Sequence, residues 1–270
     1  MADFLTEMAT DSKRRADEVR SAAAVSGLEA RAKSAAPPLP LDLAPSGFDI
    51  IAEAKLASPS EGRLAAMSTA PPSVAREYRE HGAVAISVLT EETRFAGDIS
   101  HLEAVASTVD APVMRKDFLV DPIQVVEARA AGASGVLLIA RMLAGGLLEE
   151  MTDQALQMGM FVLVELFEGT DLERAARVFD RDVLVGVNCR DLATLEVDAT
   201  RFATFAPRLP GHLHAVAESG IATTADVSDV VGLGYRLALV GSSLVTDTSP
   251  GLRLGRLLEA GRAALSGAGA

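Results

Sequence analysis

The sequence has a single cysteine, Cys189, so it allows no intrachain disulfide and no cysteine-based metal cluster. Histidine is scarce too: there are four, at positions 81, 101, 212 and 214, and none forms the HExxH pair of the usual helical zinc site. No run rich in Lys and Arg occurs, and 25 basic residues against 37 acidic ones leave a net charge of −12. That balance disfavours nucleic acid or an anionic membrane as a partner but leaves room for a small anion in a local basic pocket. There is no stretch of ~18 uncharged apolar residues, and residues 1–26 are charged and alanine-rich, without the apolar centre of a signal peptide. The expectation is a soluble, cytoplasmic protein.

What is present suffices for a large core: 49% of the 270 residues are hydrophobic, and at ~150 residues per domain the length fits one large domain or two small ones. Asp3 to Lys33 reads as helical, with Phe4, Met8, Val19, Ala23 and Leu28 recurring at roughly helical spacing among charges. Pro37, Pro38 and Pro40 then break the pattern, because proline lacks a backbone donor and disfavours helix in the residue before it.

After Pro45 come short apolar, β-branched runs, each followed by turn residues and a longer amphipathic stretch. The runs are Asp49–Glu53, Ala83–Val88, Pro112–Arg115, Gly135–Ile139, Phe161–Glu165, Val183–Val187, His214–Ala217 and Leu237–Val240, eight in all. Helix signals such as Pro72–Tyr78 and Pro122–Ala128 lie between them. Strands that read as unbroken apolar runs are buried on both faces, as in a parallel sheet covered by helices. The pattern predicts an α/β fold: a single (β/α)8 TIM barrel over residues 1–270, of which 1–45 is an N-terminal helical extension. An open doubly wound sheet is the alternative, weakened because no GxGxxG follows the first run.

In such a barrel the C-terminal strand ends carry the chemistry. Strand 1 ends in Glu53 and Lys55, strand 3 in Lys116, strand 5 in Glu165 and strand 7 in Glu218, while strand 6 runs on into Asn188, Cys189, Arg190 and Asp191. Any one of these charges could be a structural ion pair stapling strands together. Pairing alone gives no reason for two lysines and three glutamates to gather at one rim. Lys and Glu without His or Cys suit proton transfer, with burial and neighbouring charges tuning each group. The loops after strands 7 and 8, Ser219-Gly220 and Gly241-Ser242-Ser243, fit the recurrent barrel phosphate site, though glycine and serine also favour ordinary turns. Ser58, after strand 1, is a further hydroxyl on the neighbouring side. Cys189 reads as a small filler, since no His adjoins it in sequence. Unaided, the residues give a barrel enzyme acting by acid/base chemistry on a small phosphorylated substrate, and they do not identify that substrate.

Several motifs, in order, resemble the indole-3-glycerol-phosphate synthase family of tryptophan biosynthesis. They are Ile50-Ile51-Ala52-Glu53-Ala54-Lys55 with Ser58-Pro59-Ser60, Ser87-Val88-Leu89-Thr90-Glu91 with Phe95-Ala96-Gly97, Arg115-Lys116-Asp117-Phe118, Leu163-Val164-Glu165, Gly186-Val187-Asn188-Cys189-Arg190-Asp191-Leu192 and Ala217-Glu218-Ser219-Gly220-Ile221. The resemblance runs over nearly the whole chain. It implies a carboxy-lyase that closes the ring of 1-(2-carboxyphenylamino)-1-deoxyribulose 5-phosphate, with loss of CO2 and water, without a metal or organic cofactor. It further implies Lys116 as general acid, Glu165 as the group handling the proton in dehydration, Lys55 on the anthranilate carboxylate, and Glu53 as the residue that positions Lys55 and binds substrate hydroxyls. By the same resemblance Asn188 and Glu218 contact the ribulose part and the lysines, and Arg190 supports the end of strand 6. Ser58, Gly220, Gly241 and Ser242 hold the phosphate with Ser219 nearby, Phe95 and Phe118 flank the aromatic ring, and Leu192 contacts substrate.

The sequence departs from the family at Leu56, where Arg or Lys is usual, at Glu61, where Lys is common, and at Phe167, where His often stands. Two other classes stay open at this stage: a different phosphate-binding barrel, such as a sugar-phosphate isomerase or an aldolase using Lys116 or Lys55 as a Schiff-base nucleophile, and a catalytically silent ligand-binding barrel. The expected partner is a small phosphorylated substrate, with no nucleic acid or membrane, and the expected assembly is a monomer or a weak homodimer.

Overall fold

The eight runs form the eight strands of one closed barrel. The computed structural model describes residues 4–21, 25–44, 47–55, 57–58, 62–63, 71–191 and 194–267. The strands are β1 (Asp49–Ala54), β2 (Ala85–Leu89), β3 (Val113–Lys116), β4 (Gly135–Ile139), β5 (Phe161–Leu166), β6 (Leu184–Asn188), β7 (His214–Glu218) and β8 (Leu237–Val240). Each pairs in parallel with its sequence neighbours, and β8 closes on β1 with Asp49 opposite Leu237 and Ala52 opposite Val240. The sequence places three strand starts early, at Ala83, Pro112 and Val183, the last of which donates to Arg181 O at 3.0 Å before the ladder begins. Ala83 instead lies in the turn after the helix Pro71–Glu80, its N–H donating to Tyr78 O at 3.0 Å beside the left-handed Gly82 (φ 96°). Pro112 has no N–H for the ladder and only accepts, from Ile86 N at 2.9 Å.

Alternation along each strand sorts the core into two layers. Ile51, Ala85, Met114, Leu137, Leu163, Leu184, Val216 and Leu237 point inward and fill the barrel. Ile50, Ala52, Val88, Val113, Leu138, Val164, Val185 and Ala238 point outward and pack beneath the helices. Burial on both faces is the physical reason these strands read as unbroken apolar runs. Two of the connecting helices start on capping boxes: Asp121 with Gln124 ahead of Pro122–Ala130, and Thr223 with Asp226 ahead of Thr224–Gly232.

The N-terminal extension holds two helices, α1 (Phe4–Ser21) and α2 (Val25–Ser34). Leu5 and Met8 of α1 join the barrel-interior cluster together with Phe118 and Phe167, so α1 lies against the C-terminal end of the barrel. Ser12 of α1 accepts a 2.9 Å hydrogen bond from Gln124 Nε2, and Lys13 reaches Asp121 at 3.1 Å. No described helix is long and apolar enough to cross a membrane.

Candidate active site

The alternation that fills the barrel also builds its chemical layer. Two positions beyond the inward apolar residues Ile51, Met114, Leu163 and Val216 stand Glu53, Lys116, Glu165 and Glu218, and Lys55 and Asn188 follow the same rule on β1 and β6. All six line one cavity at the C-terminal mouth.

Glu53 is the hinge of the charge network. One carboxylate oxygen lies 3.3 Å from Lys55 Nζ and the other 3.1 Å from Lys116 Nζ. Burial pushes its carboxyl up, but the two lysines outweigh burial and hold it at about 2. Burial likewise pulls the Lys116 ammonium down, and Glu53, Glu165 and Glu218 together outweigh it, so Lys116 stays charged. Of the two lysines the resemblance ties Glu53 to Lys55, and the structure sets it between both. Asn188 meets no lysine: its Nδ2 donates to Glu165 Oε1 at 2.6 Å, while its Oδ1 accepts from Arg190 N at 2.9 Å.

Glu165 and Glu218 form a buried carboxyl pair. Burial raises both groups, and the Glu165 charge raises Glu218 further, well above the ordinary carboxylate range. Neither Glu218 oxygen accepts a hydrogen bond from a protein donor. Burial and the neighbouring carboxylate thus favour the protonated form of Glu218 beside Glu165. A raised folded-state value makes this group's contribution to stability full below the unfolded carboxylate range and lost as pH rises through the folded one. Glu218→Gln is therefore expected to be more stable than the parent at pH 7, by ~1–3 kcal/mol, the cost of a poorly satisfied buried polar group. That gain should shrink toward pH 4, and thermal melts at the two pH values would show both effects.

Two glycines keep room for these carboxylates. A Cβ on Gly186, the inward position before Asn188, would stand 1.9 Å from Glu218 Oε1, and one on Gly241 would stand 2.3 Å from Glu53 Oε1.

The cavity walls differ from side to side. After β7, Ser219 (φ 63°) and Gly220 (φ 73°) are both left-handed, turning the chain inward. After β8, Gly241 opens the short helix Ser242–Val245. Ser242 Oγ is not free, since it accepts from Lys55 Nζ at 2.6 Å, and Ser243 Oγ donates to Ile221 O at 2.9 Å. Four places round the eight-stranded ring from β7 stands β3, and there Phe118 packs against Phe95 and Phe4 with ring centroids 6.2 and 5.8 Å apart. Arg190 lines the cavity, and its Nη1 donates to Leu195 O at 2.9 Å. Phe167 lies under the Arg141 guanidinium, 5.2 Å from the ring centre.

Leu192, Leu56, Glu61 and the side chain of Ser58 lie outside the described residues. Phe4, Leu195 and Gly186 were not singled out from the sequence. Phe4 carries no signal beyond its place on an amphipathic helix, and an inward glycine reads like any other strand glycine. Cys189 is buried, which pushes its thiol up to about 12 and suits the filler reading. Among the described residues, no three His, Cys, Asp or Glu side chains gather as a metal site.

The comparisons with known proteins agree with this geometry. The family model described as Indole-3-glycerol phosphate synthase matches residues 5–257. Curated proteins named Indole-3-glycerol phosphate synthase from Mycobacterium avium (strain 104) and Mycolicibacterium vanbaalenii are each 44% identical over 251 residues, covering 92% of this chain and 91% of theirs. The protein of that name from Mycobacterium tuberculosis (strain CDC 1551 / Oshkosh) is 43% identical over the same spans. With a barrel whose charged layer stands at the family's motif positions and a match along nearly its full length, the chain belongs to the indole-3-glycerol phosphate synthase family.

Proposed function

We propose that this protein closes the indole ring of 1-(2-carboxyphenylamino)-1-deoxyribulose 5-phosphate, releasing CO2 and water, as a carboxy-lyase of tryptophan biosynthesis. The observation that carries the reading is the placement of Lys116. Its ammonium, held charged by the carboxylates around it, Glu53 first, stands in the cavity lined by the glycine loops after β7 and β8 and the phenylalanines beyond β2 and β3.

Ring closure needs the two ends of a flexible substrate brought together, and anchors on opposite walls supply that proximity. The phosphate lies against Gly220, Gly241 and Ser242, with Ser58 and Ser219 beside it. The aromatic ring lies against Phe95 and Phe118. Lys55 leaves Ser242 to meet the anthranilate carboxylate, with Glu53 keeping it in place. As the carboxyl-bearing ring carbon attacks the ribulose carbonyl, Lys116 gives its proton to the carbonyl oxygen. Loss of CO2 restores the aromatic ring. Lys116, reprotonated, then protonates the departing hydroxyl, and Glu165 removes the proton whose loss completes dehydration. Asn188 holds Glu165 in orientation, Glu218 stores a proton beside it, and Arg190 fixes the loop after β6. Leu192 adds a substrate contact. The −12 charge and the small pocket support a cytoplasmic enzyme working on a small phosphorylated molecule, as a single barrel unit that is monomeric or weakly dimeric.

A Schiff-base aldolase needs a neutral lysine as nucleophile. Glu53 and its neighbouring carboxylate hold Lys116 in the opposite state. Incubation with the carboxyphenylamino-deoxyribulose phosphate should produce indole-glycerol phosphate fluorescence, and borohydride added with the substrate should leave activity intact. Irreversible labelling of Lys55 or Lys116 would turn the reading toward the aldolase.

A further inference from the structure

A second buried charge cluster adjoins the acid/base layer, and the roles set out above leave it unused. Arg15 of α1 lays two guanidinium nitrogens on the Asp117 carboxylate, each at 2.8 Å. The Asp117 side chain is fully buried and also accepts from Thr90 Oγ1 at 2.7 Å and from Phe118 N at 2.8 Å, with Arg115 Nη2 at 3.3 Å. Asp117 therefore joins α1, the end of β2 and the end of β3, between Lys116 and Phe118, which both face the cavity. Beside Thr90, the Glu91 carboxylate gathers the backbone N–H groups of Thr93, Arg94 and Phe95 at 2.7–3.0 Å and so shapes the loop that carries Phe95. Phe4 rests on Phe118, and Glu7 pairs with Arg94 at 2.7 Å.

We propose that Arg15 is a positioning residue for the reaction: by docking α1 on Asp117 it sets the end of β3, and with it the Lys116 ammonium and the Phe118 ring. The proposal rests on the ring-closure reading. A guanidinium fork on a carboxylate fixes direction as well as distance, which a single point charge does not. Fastening α1 by sequence-distant charges would not by itself require the contact to fall on the residue next to the acid. Lys13 and Arg20 of the same helix already fasten it to Asp121, away from the cavity.

The groups around Asp117 are Arg15 and Asp11 from α1, the latter 3.4 Å from Arg15 Nε; Thr90 and Glu91 beyond β2; and Arg115 from β3, itself shared with Glu127 at 2.7 Å. Burial pushes the Asp117 carboxyl up, and Arg15, Arg115 and Thr90 outweigh it and hold it at about 2. Without Arg15 the remaining cation is the shared Arg115, so the carboxyl moves up. As pH falls through the new value, Asp117 loses its charge and its hold on Thr90 and Phe118.

The test compares the full-length parent with Arg15→Met, Arg15→Lys, Asp117→Asn and the Arg15→Met/Asp117→Asn pair, well below each melting temperature. Misplacement of a reacting group by ~1 Å costs up to ~100-fold, so Arg15→Met should lower kcat about tenfold or more, leave KM within about threefold, and move the acid limb of kcat to higher pH. Arg15→Lys should fold readily and restore part of kcat. In the Asp117→Asn background, Arg15→Met should add no further loss. An Arg15→Met enzyme with the parent's kcat and acid limb, whatever its melting temperature, would overturn the proposal, as would a loss undiminished beside Asp117→Asn. A parent that makes no indole-glycerol phosphate overturns the ring-closure reading together with the proposal, whereas an active parent with unaltered Arg15 variants overturns the proposal alone.

Discussion

Lys116→Ala is expected to lose turnover by ~100- to 10,000-fold, the range over which a positioned general acid acts, while the barrel stays folded and still binds inorganic phosphate. The lysine stem is partly exposed, at 21%, so truncation opens little dry cavity. The larger consequence is electrostatic. Glu53 loses the nearer of its two cations and keeps Lys55 at 3.3 Å. Glu165 and Glu218 lose the positive charge that lowers both. Proton affinity in the whole layer then rises, so the variant lacks the acid and also carries carboxyls that hold protons more tightly. Lys116→Met keeps the stem without the charge and should fail to the same degree, which separates chemistry from packing. Steady-state fluorescence of product formation measures the rates, and phosphate protection against thermal unfolding reports the anion site. Turnover of either variant within a factor of two of the parent would remove Lys116 from the role of acid.

Gly186→Ala should be nearly as damaging, although it adds a single methyl to a residue with no polar side chain. The new Cβ would stand 1.9 Å from Glu218 Oε1 and 3.2 Å from Leu163 Cδ1. Leu163 is part of the packed barrel interior, so the carboxyl is the group that must move. Displacing Glu218 breaks its pairing with Glu165 and changes the field at Lys116. Overpacking of this kind costs ~1–3 kcal/mol of stability, and loss of alignment in the layer should lower kcat ~100-fold. Gly255→Ala, with open space at its Cβ in the helix Pro250–Gly267, serves as the control. There alanine removes the backbone freedom of glycine from a helix interior, so stability should rise by up to ~1 kcal/mol with activity unchanged. A Gly186→Ala enzyme within threefold of the parent kcat would mean that Glu218 is not needed where it stands.

Glu53, Lys116, Glu165 and Glu218 could be named from the sequence because each is a titratable residue at the C-terminal end of its own apolar run. That relation is local and needs no partner. Lys55 could be placed at the rim in the same way, but its bond to Ser242 spans 187 positions, and no strand pattern contains it. The same limit hid Arg15 and Asp117, 102 positions apart. Arg15 looks like one more charge on an exposed helix until α1 folds against the barrel. The Asn188–Glu165 bond joins neighbouring strands, yet nothing in either strand's pattern favours it over a contact with lysine. Phe4 closes the aromatic wall through an edge-on contact with Phe118, which only the docking of α1 brings about.

By itself, the sequence determined the barrel, the number and order of its strands, and which residues would ring the mouth. Apolar period, turn residues and strand-end polarity are properties of short segments, and eight repeats of one pattern constrain the closed arrangement. How the ring is wired comes from the folded chain: Glu53 meets both lysines, Glu165 and Glu218 are buried together, and Arg15 reaches Asp117 at the end of β3. Those outcomes turn on burial and on a few ångströms between groups far apart in the chain, because the cost of desolvating a charge and the field that offsets it arise when the strands close.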